Sequence, residues 1–198
     1  MSGRVGILKY GVAGNTYSID KAIREAGGDS FLVTKPAQLE KADKLVIPGV
    51  GGFREAMTNL VAADMVEPLR CYDRPLLGIC LGMQLLATVG FEHGETQGLD
   101  LTNAEVVPLN VKAITPHLGF KNIDVIKPNE LLKGCHNEQF YFMHSYELVN
   151  FHDVTSTTTY DKHIFVSSVN KGNIYGVQFH PEKSREAGIK LFKNFLEL

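Results

Sequence analysis

The 198-residue chain has no tryptophan and only three cysteines. Cys71, Cys80 and Cys135 are odd in number and far apart in sequence, so they do not make a disulfide framework. A reducing, cytoplasmic setting is the expectation. Charge of one sign is lacking too: 20 Lys and Arg stand against 22 Asp and Glu, a formal net charge of -2. Nothing here draws the chain to nucleic acid or to an anionic membrane surface. Long apolar runs are missing. None approaches the roughly 20 residues that cross a bilayer, and the N-terminus lacks the layout of a signal peptide. Internal repeats, low-complexity tracts and a linker are also missing. With 44% hydrophobic residues, the chain can bury one sizeable core, and residues 1–198 are expected to form a single domain.

What is present centres on Arg74-Pro-Leu-Leu-Gly-Ile-Cys-Leu-Gly-Met-Gln-Leu-Leu-Ala87. Pro75 to Ile79 is a short apolar run, read as a buried strand. From Leu81 the spacing is helical, with Leu81, Leu85 and Thr88 on one face. Cys80 lies at the junction between Gly78 and Gly82. This G-x-C-x-G pattern predicts a nucleophile elbow, a strained strand-to-helix turn that lifts one side chain above the sheet edge. A helix N-terminus favours thiolate by up to about 2 kcal/mol, or about 1.5 pKa units. From a free-thiol value of about 8.5 that leaves the sulfur only partly ionised, so a base is also required. Cys71 and Cys135 have no chemical context and are read as structural.

Strands are predicted at Arg4–Tyr10, Phe31–Thr34, Lys44–Pro48 and before Cys80. Gly11–Gly14 reads as a tight loop, with Asn15 capping a helix to about Gly27. Gly49-Val-Gly-Gly52 leads into a helix carrying Ala56, Leu60 and Ala63. Strands alternating with helices imply parallel βαβ units with helices on both faces of the sheet. After Gly90 the character changes. Ala104–Leu109, Lys121–Ile126, Gln139–Met143, Ile164–Val169 and Asn173–Gln178 are short, β-branched and aromatic. They predict an antiparallel extension or a second sheet. Asn170-Lys-Gly-Asn173 is a hairpin signal, and an amphipathic helix follows Ser184.

Val177-Gln-Phe-His-Pro-Glu182 follows the last predicted strand. Pro181 fixes φ and stiffens the turn, which can aim an imidazole and a carboxylate at one point. His180 would take the thiol proton and return it to a leaving amine, while Glu182 orients the ring and steadies its charge. Pro48-Gly-Val-Gly51 follows the third strand, where glycines let backbone N–H groups approach a substrate oxygen. Gly49, Val50 and Gly51 are therefore candidates for one side of an oxyanion hole, with the Leu81 N–H as the other donor. Such a hole contributes on the order of 3–4 kcal/mol to a transition state.

Gly78-Ile-Cys-Leu-Gly-Met-Gln84 with His180-Pro-Glu182 resembles the class I (triad) glutamine amidotransferases. Within them, Pro48-Gly-Val-Gly51, Pro116-His-Leu-Gly-Phe120, Tyr141-Phe-Met-His-Ser-Tyr146 and Gly176–Ser184 are similar to the glutaminase subunits of imidazole glycerol phosphate synthases. The resemblance covers essentially the whole chain. It implies a three-layer, open, mainly parallel α/β sheet with helices on both faces and an antiparallel β extension. It also implies hydrolysis of L-glutamine through a γ-glutamyl thioester on Cys80, without metal or cofactor. Gln84 and Glu92 match the residues on the glutamine side of the pocket, and a carboxylate suits the substrate ammonium. His144, Ser145 and Tyr146 match the segment at the substrate carboxylate. The family's partner is a (β/α)8 barrel cyclase that receives the ammonia, and Asn15, Tyr141 and Lys183 match positions that face it in a heterodimer.

Two departures touch the partner side. The first loop reads Lys9-Tyr-Gly-Val-Ala-Gly-Asn15, where the family has an Asp for Lys9 and one residue fewer. Phe120 stands where the Pro-His-x-Gly motif continues with Trp. Two alternatives stay open at this point. One is a paralogous glutaminase feeding another acceptor, such as a surface-sugar precursor. The other is a non-catalytic regulatory role, against which the intact Cys80, His180 and Glu182 argue.

Overall fold

The computed structural model describes residues 3–11, 15–150 and 152–198. In the first half the strands are β1 (Val5–Leu8), β2 (Ser30–Val33), β3 (Lys44–Ile47) and β4 (Leu76–Ile79), interleaved with α1 (Thr16–Glu25), α2 (Phe53–Ala62), α3 (Val66–Arg70) and α4 (Leu81–Leu85). Then come β5 (Val89–Gly90), β6 (Thr96–Gln97), β7 (Glu105–Pro108), β8 (His117–Asn122), β9 (Asp124–Val125), β10 (Gln139–His144) and β11 (Tyr146–Val149). The chain closes with β12 (Val154–Tyr160), β13 (His163–Lys171), β14 (Ile174–Val177) and α5 (Arg185–Glu197).

The main sheet runs β2-β1-β3-β4-β14-β13-β12-β9. Its first five strands are parallel and the last three continue it antiparallel. The architecture is thus α/β with one large mixed sheet. Residues alternate between its two faces. Val5, Ile7, Val46, Leu77 and Ile79 join a core with Ile19 and Ile23 of α1 and Leu191, Phe192 and Phe195 of α5. Leu8, Leu45, Ile47 and Leu76 join the opposite core with Phe53, Met57 and Leu60 of α2 and Leu85 of α4. Period-two strands with apolar residues on both faces are what a sheet covered by helices on both sides requires.

Between β4 and β14 the chain makes two further sheets, β10-β8 and β11-β7-β5-β6. Several boundaries differ from the sequence reading. The strand expected over Lys121–Ile126 is divided: β8 begins at His117 to pair with β10, Ile123 is buried at the break, and Asp124–Val125 turns to pair with β12. β12 escapes a hydrophobicity pattern because it reads Val-Thr-Ser-Thr-Thr-Thr-Tyr. Its buried hydroxyls bond across the ladder instead, Thr155 to Ser168 at 2.7 Å and Ser156 to Ser167 at 2.8 Å. The hairpin at Asn170–Asn173 joins β13 to β14, with Gly172 at φ 57°. Asn15 caps α1, its Oδ1 accepting from the Ser18 N–H at 3.3 Å. The rest of the loop expected over Gly11–Gly14 lies outside the described residues beyond Gly11.

The helix after Cys80 is shorter than expected. It ends at Leu85, and Thr88 is outside it. The Leu86 and Ala87 N–H groups bond three residues back, tightening the last turn. The Leu85 and Leu86 carbonyls are claimed by the N–H groups of Leu99, Leu101 and Thr102. A five-residue helix sums few peptide dipoles, so the base must do more of the work of ionising the thiol.

Candidate active site

β4 and β14 are adjacent and parallel, with Ile79 opposite Val177. Cys80 and the segment Gln178–His180 therefore leave the same carboxyl edge of the sheet, where open α/β sheets hold their ligands. Cys80 has φ 52° and ψ -111°, a conformation that non-glycine residues adopt at a cost. The turn is held by the Cys80 N–H on the Val177 carbonyl at 2.8 Å and by the Gln84 N–H on the Cys80 carbonyl at 3.1 Å. Its neighbours have no room for side chains. A Cβ on Gly82 would lie 1.9 Å from the Ile47 carbonyl oxygen, and one on Gly78 would lie 2.6 Å from the Gly82 oxygen. The elbow is thus a close approach of three backbone segments.

His180 is held from behind. Its N–H donates to the Tyr141 carbonyl at 2.8 Å, and Ser184 Oγ donates to the His180 carbonyl at 2.6 Å. Its Nδ1 faces Glu182 Oε1 at 2.9 Å, with both side chains 2% exposed. A carboxylate only accepts, so Nδ1 carries a proton and Nε2 faces the other way. Nε2 is buried and has no hydrogen-bond partner among the described residues. Burial alone would lower the pKa of this ring, but the charge of Cys80, then the hydrogen bond and charge of Glu182, raise it to about 10. The site thus favours an imidazolium between a sulfur and a carboxylate. The Cys80 thiol meets the Met143 carbonyl at 3.6 Å and the Gln178 Nε2 at 3.5 Å.

In front of Cys80 lies a cavity of about 250 Å³. Val50, Gly51, Leu81, Gln84, Glu92, His144, Ser145 and Tyr146 line it, together with Pro116 and Met143. Gly49 does not: it is buried against the elbow, where a Cβ would lie 2.5 Å from Leu81 Cβ. Glu92 reaches over α2, and its carboxylate accepts from the Phe53 N–H at that helix's N-terminus. Gln84 points its Nε2 inward, to the Tyr146 carbonyl at 3.2 Å and to Gln178 Oε1 at 3.0 Å. His144 donates from Nδ1 to the same carbonyl at 2.9 Å, and its Nε2 meets His117 Nδ1 at 3.2 Å. Burial, above all, lowers both rings, His144 to about 3 and His117 to about 4. Both are neutral at pH 7.

Tyr141 and Lys183 are also brought together, with the Lys183 ammonium 5.8 Å from the Tyr141 ring centroid. Phe120 stacks edge-on against the same ring at 5.4 Å. Asn15 lies at the start of α1, the helix that packs against the Pro181–Lys183 turn. Sequence reasoning missed Tyr10, Gln178 and His117. The Tyr10 hydroxyl donates to the Pro48 carbonyl at 2.6 Å and so anchors the glycine loop, and burial, then the charge of Cys80, raise its pKa. Gln178 carried a signal, since it precedes His180 by two and so shares its side of an extended chain. Cys71 and Cys135 are free thiols, Cys135 with its pKa pushed up to about 11 by burial. No described helix is long and apolar enough to cross a membrane.

Fold and cavity together define a class: α/β proteins that present a cysteine on a strand-to-helix elbow beside a histidine–carboxylate pair from the neighbouring strand. Residues 10–198 match the family model described as glutamine amidotransferase class-I, and the chain belongs to that family. It is 41% identical to imidazole glycerol phosphate synthase subunit HisH 1 of Campylobacter jejuni, over 98% of this chain and 100% of that protein. It is 39% identical to the HisH subunit of Aquifex aeolicus, over 97% of this chain and 95% of that one. Two solved structures share the fold. One, a glutamine amidotransferase, matches 98% of this chain and 99% of its own, at TM-score 0.76 and 18% identity. The other, PurLQS of Thermotoga maritima, matches 100% of this chain and 99% of its own, at TM-score 0.72 and 16% identity.

Proposed function

We propose that this chain is the glutaminase subunit of imidazole glycerol phosphate synthase, hydrolysing L-glutamine to glutamate and ammonia for a cyclase partner in histidine biosynthesis. One observation carries the reading. The chain is 41% and 40% identical, essentially end to end, to subunits of that enzyme, and it sets Cys80, His180 and Glu182 at one edge of the sheet.

In this reading the Cys80 proton passes to His180 Nε2, and the sulfur attacks the side-chain carbonyl carbon of glutamine. The C–S bond forms, and the C–N bond breaks as His180 returns the proton to the leaving ammonia. Water, deprotonated by the same imidazole, then hydrolyses the thioester and frees the thiol. Glu182 holds the ring in the working tautomer throughout. Leu81 N–H and Gly51 N–H stabilise the oxyanion, Glu92 and the Oε1 of Gln84 receive the substrate ammonium, and Ser145 and Tyr146 face its carboxylate. Residues 1–198 act as one cytoplasmic domain. The partner is a (β/α)8 barrel that forms a heterodimer with this chain through Asn15, Tyr141 and Lys183, and the ammonia crosses between the two.

Co-expression with a barrel cyclase from the same genome tests this. Co-purification, with glutamine-dependent formation of imidazole glycerol phosphate, is the expected result. Glutamine hydrolysis without transfer to that cyclase points to another acceptor. Failure of a glutamine-mimicking electrophile to label the Cys80 thiol points to a non-catalytic role.

A further inference from the structure

Behind the cavity a buried hydrogen-bond chain runs from Cys80 to His117, and its polarity is fixed from its far end. The Tyr146 carbonyl can only accept. It takes the His144 Nδ1–H at 2.9 Å and the Gln84 amide at 3.2 Å, so Gln84 must turn its NH₂ inward. That same Nε2 lies 3.0 Å from the Gln178 amide, which must therefore present its oxygen to Gln84. The remaining end of Gln178 is its NH₂, and it lies 3.5 Å from Cys80 Sγ. Gln178 is fully buried, so no water competes for these groups.

We propose that Gln178 is a positioning residue for the nucleophile: its amide, oriented by Gln84, donates to Cys80 Sγ and favours the thiolate turned towards the substrate. In the neutral thiol the S–H has the Met143 carbonyl as its partner at 3.6 Å. That carbonyl repels a thiolate, and the Gln178 donor offsets the repulsion on loss of the proton to His180. Hydrogen bonds to a charged acceptor are roughly twice as strong as neutral ones, so the donor acts mainly on the ionised form. The inference rests on the glutaminase reading for its catalytic meaning, but its geometry does not depend on the ammonia acceptor.

Other titratable groups face the sulfur. They are His180, with Glu182 behind it, and Tyr10 just beyond β1, while His144 on β10 and Glu92 line the cavity in front of it. A change confined to Gln178 leaves all of them in place. The test is the pH profile of Cys80 alkylation by iodoacetamide in the full chain, read at the Cys80 peptide by mass spectrometry. Gln178→Met keeps the length and removes the donor. Its midpoint is expected to rise by about one pH unit, with kcat for glutamine about tenfold lower and KM within about threefold. Gln178→Glu keeps the acceptor for Gln84 but sets a carboxylate beside the sulfur, and its midpoint is expected to rise further. An unchanged midpoint in either folded variant overturns the proposal. A shifted midpoint in a chain that hydrolyses no glutamine even in complex with a barrel cyclase upholds it while rejecting the glutaminase reading.

Discussion

Ile79 and Val177 sit opposite each other in neighbouring parallel strands, and that register sets the site. The residues just past them leave the sheet together although 98 positions separate Cys80 from Gln178. Between them the chain builds β5 to β13 and returns, and β10 comes back to the same place through the Tyr141–His180 bridge. Such an arrangement ties the nucleophile and its base to the most buried part of the molecule rather than to loops, which keeps the reacting groups fixed relative to one another.

Cys80→Ala is expected to remove glutamine-dependent activity and to leave activity of the partner complex with free ammonia largely intact, because the two half-reactions occupy separate sites. Alanine keeps the elbow turn and deletes only the sulfur. Assays of the complex with glutamine and with an ammonium salt give the comparison. Glutamine turnover above about a thousandth of wild type would show that another group is the nucleophile.

Glu182→Gln tests the ring behind the sulfur. The wild-type carboxylate accepts from Nδ1 at 2.9 Å. A carboxamide can turn its NH₂ to that nitrogen, move the proton to Nε2 and take away the base. It also removes a charge that holds the imidazolium. The expected result is a kcat lower by roughly 10² to 10⁴-fold with KM changed by less than about threefold. A KM change of the same size as the kcat change would assign Glu182 to substrate binding.

The acid limb of stability is expected to carry the mark of His117 and His144. Their folded pKa values, about 4 and about 3, lie below the ordinary 6.5, chiefly because both rings are buried. The unfolded chain then binds more protons between those values, so stability is full above pH 6.5 and is lost as the pH falls through the window. His117 lies between Tyr160, stacked at 4.1 Å, and Phe142, stacked at 5.2 Å, so phenylalanine suits the space. In His117→Phe the stability lost between pH 7 and pH 5 should shrink by on the order of 1–2 kcal/mol. Denaturant unfolding at the two pH values measures it, and an equal loss in both proteins would mean that His117 is already charged in the fold.

The sequence carried the parallel half of the fold because each strand there is an apolar run between glycine-rich turns and helical spacings. Three pieces were less legible. β12 is held by hydroxyl pairs, which leave no hydrophobic periodicity to read. α4 stops early because residues 99–102 take its last carbonyls, a tertiary event. Gln84 was read as facing the substrate; it lines the cavity, but its NH₂ is turned to Gln178 and Tyr146. Single motifs announce a cavity's reactive groups well. They say little about which end of an amide points where, since that depends on partners far away in sequence.

Gly51 supplies the last test, on control of the site. The family resemblance implies a glutaminase kept nearly idle until its partner is occupied, and an oxyanion hole is where a small change acts most strongly. Gly49 is packed against the elbow helix, which fills the space where its Cβ would go. Tyr10 holds the carbonyl just before it. Gly51 is exposed, stands at φ 106° and has nothing within 4 Å of a Cβ position. The loop is therefore anchored on one side of Val50 and free on the other. We expect that in the chain alone the Val50–Gly51 peptide turns its carbonyl, not its N–H, towards the space beside Cys80, leaving the Leu81 N–H as the one donor. A half-turn of that peptide changes φ of Gly51 by about 180°, into the ordinary negative region. Alanine tolerates the turned state but is strained at the present one by about 1–3 kcal/mol. Gly51→Ala should therefore raise the basal glutaminase rate of the isolated chain about ten- to a hundredfold and narrow the activation that the partner adds. Steady-state glutamate release, with and without partner, reads both effects. A basal rate that stays level or falls would place the control outside this loop.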